Sequence, residues 1–285
     1  MRPAQVFGGD CGALFTEDDV TRILGTPVAL TAPTQWEGRP VAVEQHGGIR
    51  CHWLGDGASA WLVVMPDAPV GYTTGSECEF LFEDHARVCP LESVAGGIRL
   101  SGAVAPLQGD GRVEQAGLLA LFNGRATDAS AVPAPIPAVG AWAYPLSCET
   151  VVAAADFSAV AGLGKDAMGS QVLGLEGTYS SPLEMQLWGS DSPICEIYAL
   201  PAGSATVDFE AYGGARWEQA ELAAGSTPLP VDGLDSVTAT PTSDGRFAID
   251  VFEGPNWLHF TVSFTKNAGP IALALVAALD ATAVK

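Results

Sequence analysis

One feature narrows the possible folds more than any other: the chain carries the same pattern twice. The spacing from Cys11 to Gly25 and from Cys148 to Gly162 is 14 in both without a gap, their apolar positions coincide, and Asp19 matches Asp156. Self-similarity of this kind indicates one folding unit used more than once. The local physics of the first copy is plain. Thr16 is a good helix N-cap, and Asp19 stands at the capping-box position. Glu17, Asp18 and Asp19 put negative charge at the positive end of the helix dipole. Val20, Ile23 and Leu24 form one apolar face. Gly25 suits the left-handed residue that closes a helix, and Pro27 prevents continuation.

The match continues downstream. Ile49-Arg50-Cys51-His52-Trp53 parallels Pro193-Ile194-Cys195-Glu196-Ile197-Tyr198. An apolar strand candidate follows each, Ala58 to Met65 in one copy and the alternating Ser204 to Tyr212 in the other. Gly97 to Val104 resembles Trp257 to Phe264, and each leads into a helix candidate, about Arg112 to Thr127 and about Pro270 to Ala281. One unit therefore reads as helix, several antiparallel strands, then helix. The expected fold class is α+β: two tandem repeats of an antiparallel sheet with flanking N- and C-terminal helices. Glycine and proline make up just under a fifth of the 285 residues, which favours turns and short elements. The Ala/Pro stretch Ala131-Val132-Pro133-Ala134-Pro135-Ile136-Pro137-Ala138 reads as a stiff connector. The expected organisation is a first unit over 9–130, a connector over 131–141 and a second unit over 142–285.

The six cysteines, Cys11, Cys51, Cys78, Cys89, Cys148 and Cys195, fit three disulfides; buried free thiols are the other reading of the same residues. None lies at zinc-ligand spacing, so no metal site is expected. The duplication suggests the pairing. Cys11 and Cys148 precede the leading helices, whereas Cys51 and Cys195 sit in the early strands, so Cys11–Cys51 and Cys148–Cys195 would staple helix to sheet. Cys78 and Cys89 flank a hairpin with its turn near Asp84-His85. The second unit has an analogous hairpin around Ser243-Asp244-Gly245-Arg246 without cysteines.

The opening Cys11-x-x-Leu14-Phe15-Thr16…Asp19-Val20…Ile23-Leu24-Gly25, followed some forty residues on by Cys51-His52-Trp53, resembles exported actinobacterial proteins of the DUF3558 type. More loosely it resembles the extracytoplasmic sensor domains of mycobacterial kinases of the PknH kind. The resemblance covers the skeleton of the first unit and extends weakly to the second. There Ile197 stands where the family has Trp, and Ala153 where it has Thr. It implies a lipoprotein or secreted protein without known catalysis, and it transfers no site residues beyond the cysteines. Asp10, next to Cys11, is out of place in a lipobox, so Cys11 is expected to pair rather than carry lipid. Met1-Arg2-Pro3-Ala4-Gln5 is short and polar, and the expectation is a secreted or cell-envelope protein whose export segment is absent from this sequence.

Charge bounds the partners. Lys plus Arg number 13 and Asp plus Glu 33, a formal net charge of −20. Nucleic-acid binding needs clustered cations, so DNA and RNA are excluded as expected partners. No hydrophobic stretch approaches the ~20 residues that span a bilayer. There is no Gly-x-Ser-x-Gly elbow, no His-Glu-x-x-His and no EF-hand loop. Gly162-Leu163-Gly164-Lys165-Asp166-Ala167 echoes a dinucleotide fingerprint but follows a helix rather than a strand, and reads as a helix end. The histidines, His46, His52, His85 and His259, are scattered, and the acids of 17–19 and 83–84 are accounted for by a helix start and a turn. No catalytic residue, cofactor or metal ligand is expected. Of seven tryptophans, Trp61 and Trp257 lie in apolar strands and read as core. Trp36, Trp142 and Trp217 are the candidates for contact with a ligand or between the units. The expected function is a non-catalytic exported binding or sensing module for an unknown protein or small molecule. A small-molecule or lipid carrier with a site in the cleft between units is the alternative, and an enzyme ranks last.

Overall fold

The computed structural model describes residues 2–31, 41–66, 78–81, 86–128, 138–142, 151, 155, 168–172, 195–199, 204–222, 225–262, 267–283 and 285. The predicted turn at Asp84-His85, most of the connector, Cys148, most of the second leading helix, the Gly162–Ala167 run and Trp36 lie outside them. The described chain divides into two compact units, one within Pro3–Pro135 and the other from Ile136 onward.

The first unit opens with a short 3-10 turn, Val6–Gly9, then α1 (Cys11–Leu14) and α2 (Glu17–Leu24). The capping box forms as the sequence dictates: Thr16 accepts from the Asp19 backbone and Asp19 from that of Thr16, while Gly25 closes the helix at φ 70°. β1 (Val28–Thr31), α3 (Val41–Gln45), β2 (Ile49–Gly55), β3 (Ser59–Pro66), β4 (Glu79–Leu81), β5 (Ala86–Ala95), β6 (Ile98–Ala105) and α4 (Arg112–Asp128) follow. The strands form one antiparallel sheet in the order β1-β2-β3-β6-β5-β4. Period-two alternation sends Ile49, Cys51, Trp53, Leu62, Val64, Leu91, Leu100 and Val104 to one face, where they pack with Val20 and Leu24 of α2 and Leu118, Phe122 and Ala126 of α4. Asp19 fastens the two helices, bonding Arg22 at 3.0 Å and Arg125 of α4 at 3.1 Å. Partial burial pushes its carboxyl up, but hydrogen bonds from Thr16 and Arg22 and the charge of Arg125 outweigh this and hold it below the ordinary aspartate value.

The second unit contains β7 (Met168–Val172), β8 (Cys195–Ala199), β9 (Ser204–Tyr212), a 3-10 turn at Arg216–Glu218, α5 (Gln219–Leu222), β10 (Thr227–Pro228), β11 (Ser236–Pro241), β12 (Phe247–Glu253), β13 (Asn256–Val262) and α6 (Ala268–Asp280). Its antiparallel sheet runs β7-β8-β9-β13-β12-β11-β10. Ile271, Leu275, Val276 and Leu279 of α6 pack on Val207, Phe209, Ile249, Val251, Leu258 and Phe260. Of the second leading helix, one helical hydrogen bond is described, from Ala155 N to Val151 O, and Val151 is buried in this core.

The fold is therefore α+β with helices covering one face of each antiparallel sheet. The two sheets share one strand order. Reading from β1 and from β7, both place the first three strands side by side, then the last, then the two before it, and the second sheet adds the two-residue β10. The staples are present: Cys11 is bonded to Cys51 and Cys78 to Cys89. Cys195 is also disulfide-bonded, and its expected partner, Cys148, lies outside the described residues.

Candidate functional site

Helices cover one face of each sheet, so the opposite face is where side chains are open to other uses. In the second unit that face is built of straight rows across the strands. One row runs Ser236, Phe252, Trp257 and Tyr212; the next runs Thr238, Asp250, His259 and Glu210. The first is aromatic and closed. The Tyr212 and Trp257 rings stack at 4.8 Å between centroids, and Phe252 stacks on the far side of Trp257 at 6.3 Å. All three rings are buried. The helical turns after β9 bond to this end of the sheet, Gln219 Nε2 donating to Ser236 Oγ and the Arg216 N–H to the Pro255 carbonyl.

The second row carries the chemistry. Asp250 is 3% exposed, and its Oδ1 accepts from the Trp257 indole Nε1 at 3.0 Å. The same oxygen lies 2.8 Å from His259 Nδ1. The His259 side chain is 14% exposed. On its other side, in register, stands Glu210, which accepts a hydrogen bond from the Tyr212 hydroxyl. Neighbouring Arg246 bonds Asp208 and Thr261. A buried carboxylate that orients an imidazole through Nδ1 is an arrangement that prepares Nε2 for acid–base or hydrogen-bonding work.

The corresponding face of the first unit is more closed. Glu92 accepts from Ser101 and lies 3.8 Å from Arg99. Burial pushes the Glu92 carboxyl up, with Ser101 and Arg99 partly offsetting it. His52 is half-buried, and its ring stacks on Trp61 at 5.8 Å because the β2–β3 register sets the two opposite each other. Trp61 is half-buried on this face rather than in the helix-side core. His46 follows α3, and burial pushes its imidazole down to about 4.

Of the three tryptophans named from the sequence, two are described. Trp142 is 2% exposed and lies in the core of the second unit, where its N–H bonds Asn256 Oδ1 and its Nε1 bonds Asp280 at the end of α6. Trp217 is half-buried in the turn after β9, and Trp36 lies outside the described residues. Sequence reasoning missed the Asp250–His259 pair. The signal was the alternation of 247–253 and 256–262 about a two-residue turn, which sets residue 250 opposite 259. No group of three or more His, Cys, Asp or Glu side chains able to hold a metal occurs among the described residues. No helix among them is long and apolar enough to cross a membrane. No protein-family model, curated protein or solved structure matches the chain.

Proposed function

We propose that the chain is an exported, non-catalytic binding or sensing module of the DUF3558 type, built from two copies of one disulfide-stapled α+β unit. The observation that carries this reading is the shared strand order of the two sheets, each with a bonded cysteine in its second strand, Cys51 and Cys195. Duplication of a stapled unit accounts for that agreement. Persistent disulfides belong to oxidising compartments, which supports export. In each unit one sheet face is given to the helices, and in the second unit the polar row on the other face is available for recognition.

The test joins compartment and activity. Chain exported to an oxidising compartment should carry three disulfides and resist heat, whereas chain made in a reducing cytosol should lose the staples and melt earlier. Ligand candidates that bind the oxidised form will raise its Tm by mass action. A turnover reaction abolished by His259→Gln in a folded chain would overturn the non-catalytic reading.

A further inference from the structure

We propose that the His259–Glu210 part of the Asp250–His259 row in the second unit binds a primary ammonium group, an inference that rests on the binding-module reading above. An indole N–H can only donate, so Asp250 Oδ1 is an acceptor. A neutral His259 ring then gives its Nδ1–H to that same oxygen and carries its lone pair on Nε2. Nε2 has no hydrogen bond among the described residues, although the ring's other nitrogen is fixed by a carboxylate that is itself fixed by Trp257. The imidazole is thus aimed and unused.

What stands beside it selects the ligand. Glu210 is half-buried, and one of its oxygens takes the Tyr212 hydroxyl. Glu210 and His259 stand opposite each other in register; the remaining carboxylate oxygen and the lone pair of the neutral ring are both acceptors, while Arg246 is engaged by Asp208 and Thr261. A group that fits must bring several N–H donors and a positive charge. An ammonium supplies three donors and pairs with the carboxylate through a charge-assisted bond. A sugar hydroxyl supplies a donor without the charge. The two chemistries therefore separate on the contribution of Glu210.

The probe is putrescine, titrated into the oxidised full chain in phosphate buffer free of primary amines. The readout is the side-chain nitrogen NMR signal of His259. Nε2 should move saturably while Nδ1, held by Asp250, stays in place. Glu210→Gln, a change at a half-buried position, should weaken binding about tenfold, the loss expected of one charge-assisted bond. His259→Gln, which lacks the reporter ring and is therefore followed by titration calorimetry alongside the parent, should lose the heat of binding, with circular dichroism and hydrogen exchange reporting that the chain folds. If that variant does not fold, Glu210→Gln decides alone. The proposal is overturned if millimolar putrescine moves nothing, if Glu210→Gln binds as tightly as the parent, or if glucose produces the same shift. Such a failure leaves the binding-module reading intact, because that reading falls to turnover and not to a silent probe.

Discussion

Single residues show how polar groups are made safe inside this chain, and where they are not. Asn256 is 2% exposed and serves three backbone groups: its Oδ1 accepts from the N–H of Trp142 and of Gly214, and its Nδ2 donates to the Gly140 carbonyl. Asn256→Ala removes the partner of the buried Trp142 N–H and of two part-buried backbone groups. Unfolding by urea should show a loss of about 3 kcal/mol, the cost of leaving several buried groups unpaired. His46 differs: its Nε2 lies 3.4 Å from Gln45 Nε2, and burial of the ring favours the neutral form and pushes its pKa from 6.5 to about 4. The unfolded chain therefore takes up the proton first as pH falls. The stabilising effect of neutral His46 is complete above about pH 6.5 and is lost between there and about pH 4. Its size, discounted for the ring's partial exposure, is roughly 1–3 kcal/mol. Equilibrium unfolding measured across that window should flatten in His46→Gln relative to the parent; parallel curves would show that other groups carry the dependence.

At the scale of elements, the staples and the sheet registers divide the work. Cys11–Cys51 closes 40 residues and ties the segment before α2 to β2, whereas Cys78–Cys89 closes only 11 within one hairpin. In the chain-entropy treatment the first is worth about 4 kcal/mol and the second about 3 kcal/mol. Removing each pair by Cys→Ala should give losses in that order, read from thermal unfolding of the oxidised protein. Equal losses would mean that the hairpin bridge also holds the sheet. Elements of this kind were legible in the sequence because their causes are local. Thr16, Asp19 and Gly25 mark α2 by capping chemistry, and the alternation of Ser204–Tyr212 marks β9 by period two. The candidate site was not legible, because its parts meet through register. Asp250 and His259 are 9 residues apart, and Glu210 joins them only because β9 pairs with β13 rather than with β12. Strand order depends on the whole sheet, and no local pattern near His259 encodes its neighbours. The partners of Trp142 were hidden for a related reason. Its position after the connector suggested a contact between the units, and the two side chains it bonds, Asn256 and Asp280, are 114 and 138 residues away.

For the molecule as a whole, the decisive fact is that its described residues form two cores. Val20, Leu62, Leu100, Leu118 and Phe122 belong to the first, and Phe209, Ile249, Phe260, Ile271 and Leu275 to the second, and no described residue belongs to both. Each joins a sheet to the helix that follows its last strand. Such a chain should unfold in two cooperative steps rather than one, because cooperativity extends as far as shared packing does. Phe122 and Phe260 are both fully buried, one in each core. Truncating either to Ala leaves a cavity worth about 3–5 kcal/mol. Hydrogen exchange of the full oxidised chain should then show protection falling in one unit only: over β2, β3, β6 and α4 in Phe122→Ala, and over β9, β12, β13 and α6 in Phe260→Ala. If either change lowered protection in both units alike, the cores would be thermodynamically one, and the picture of a duplicated, self-sufficient unit would have to give way to a single domain with an internal symmetry.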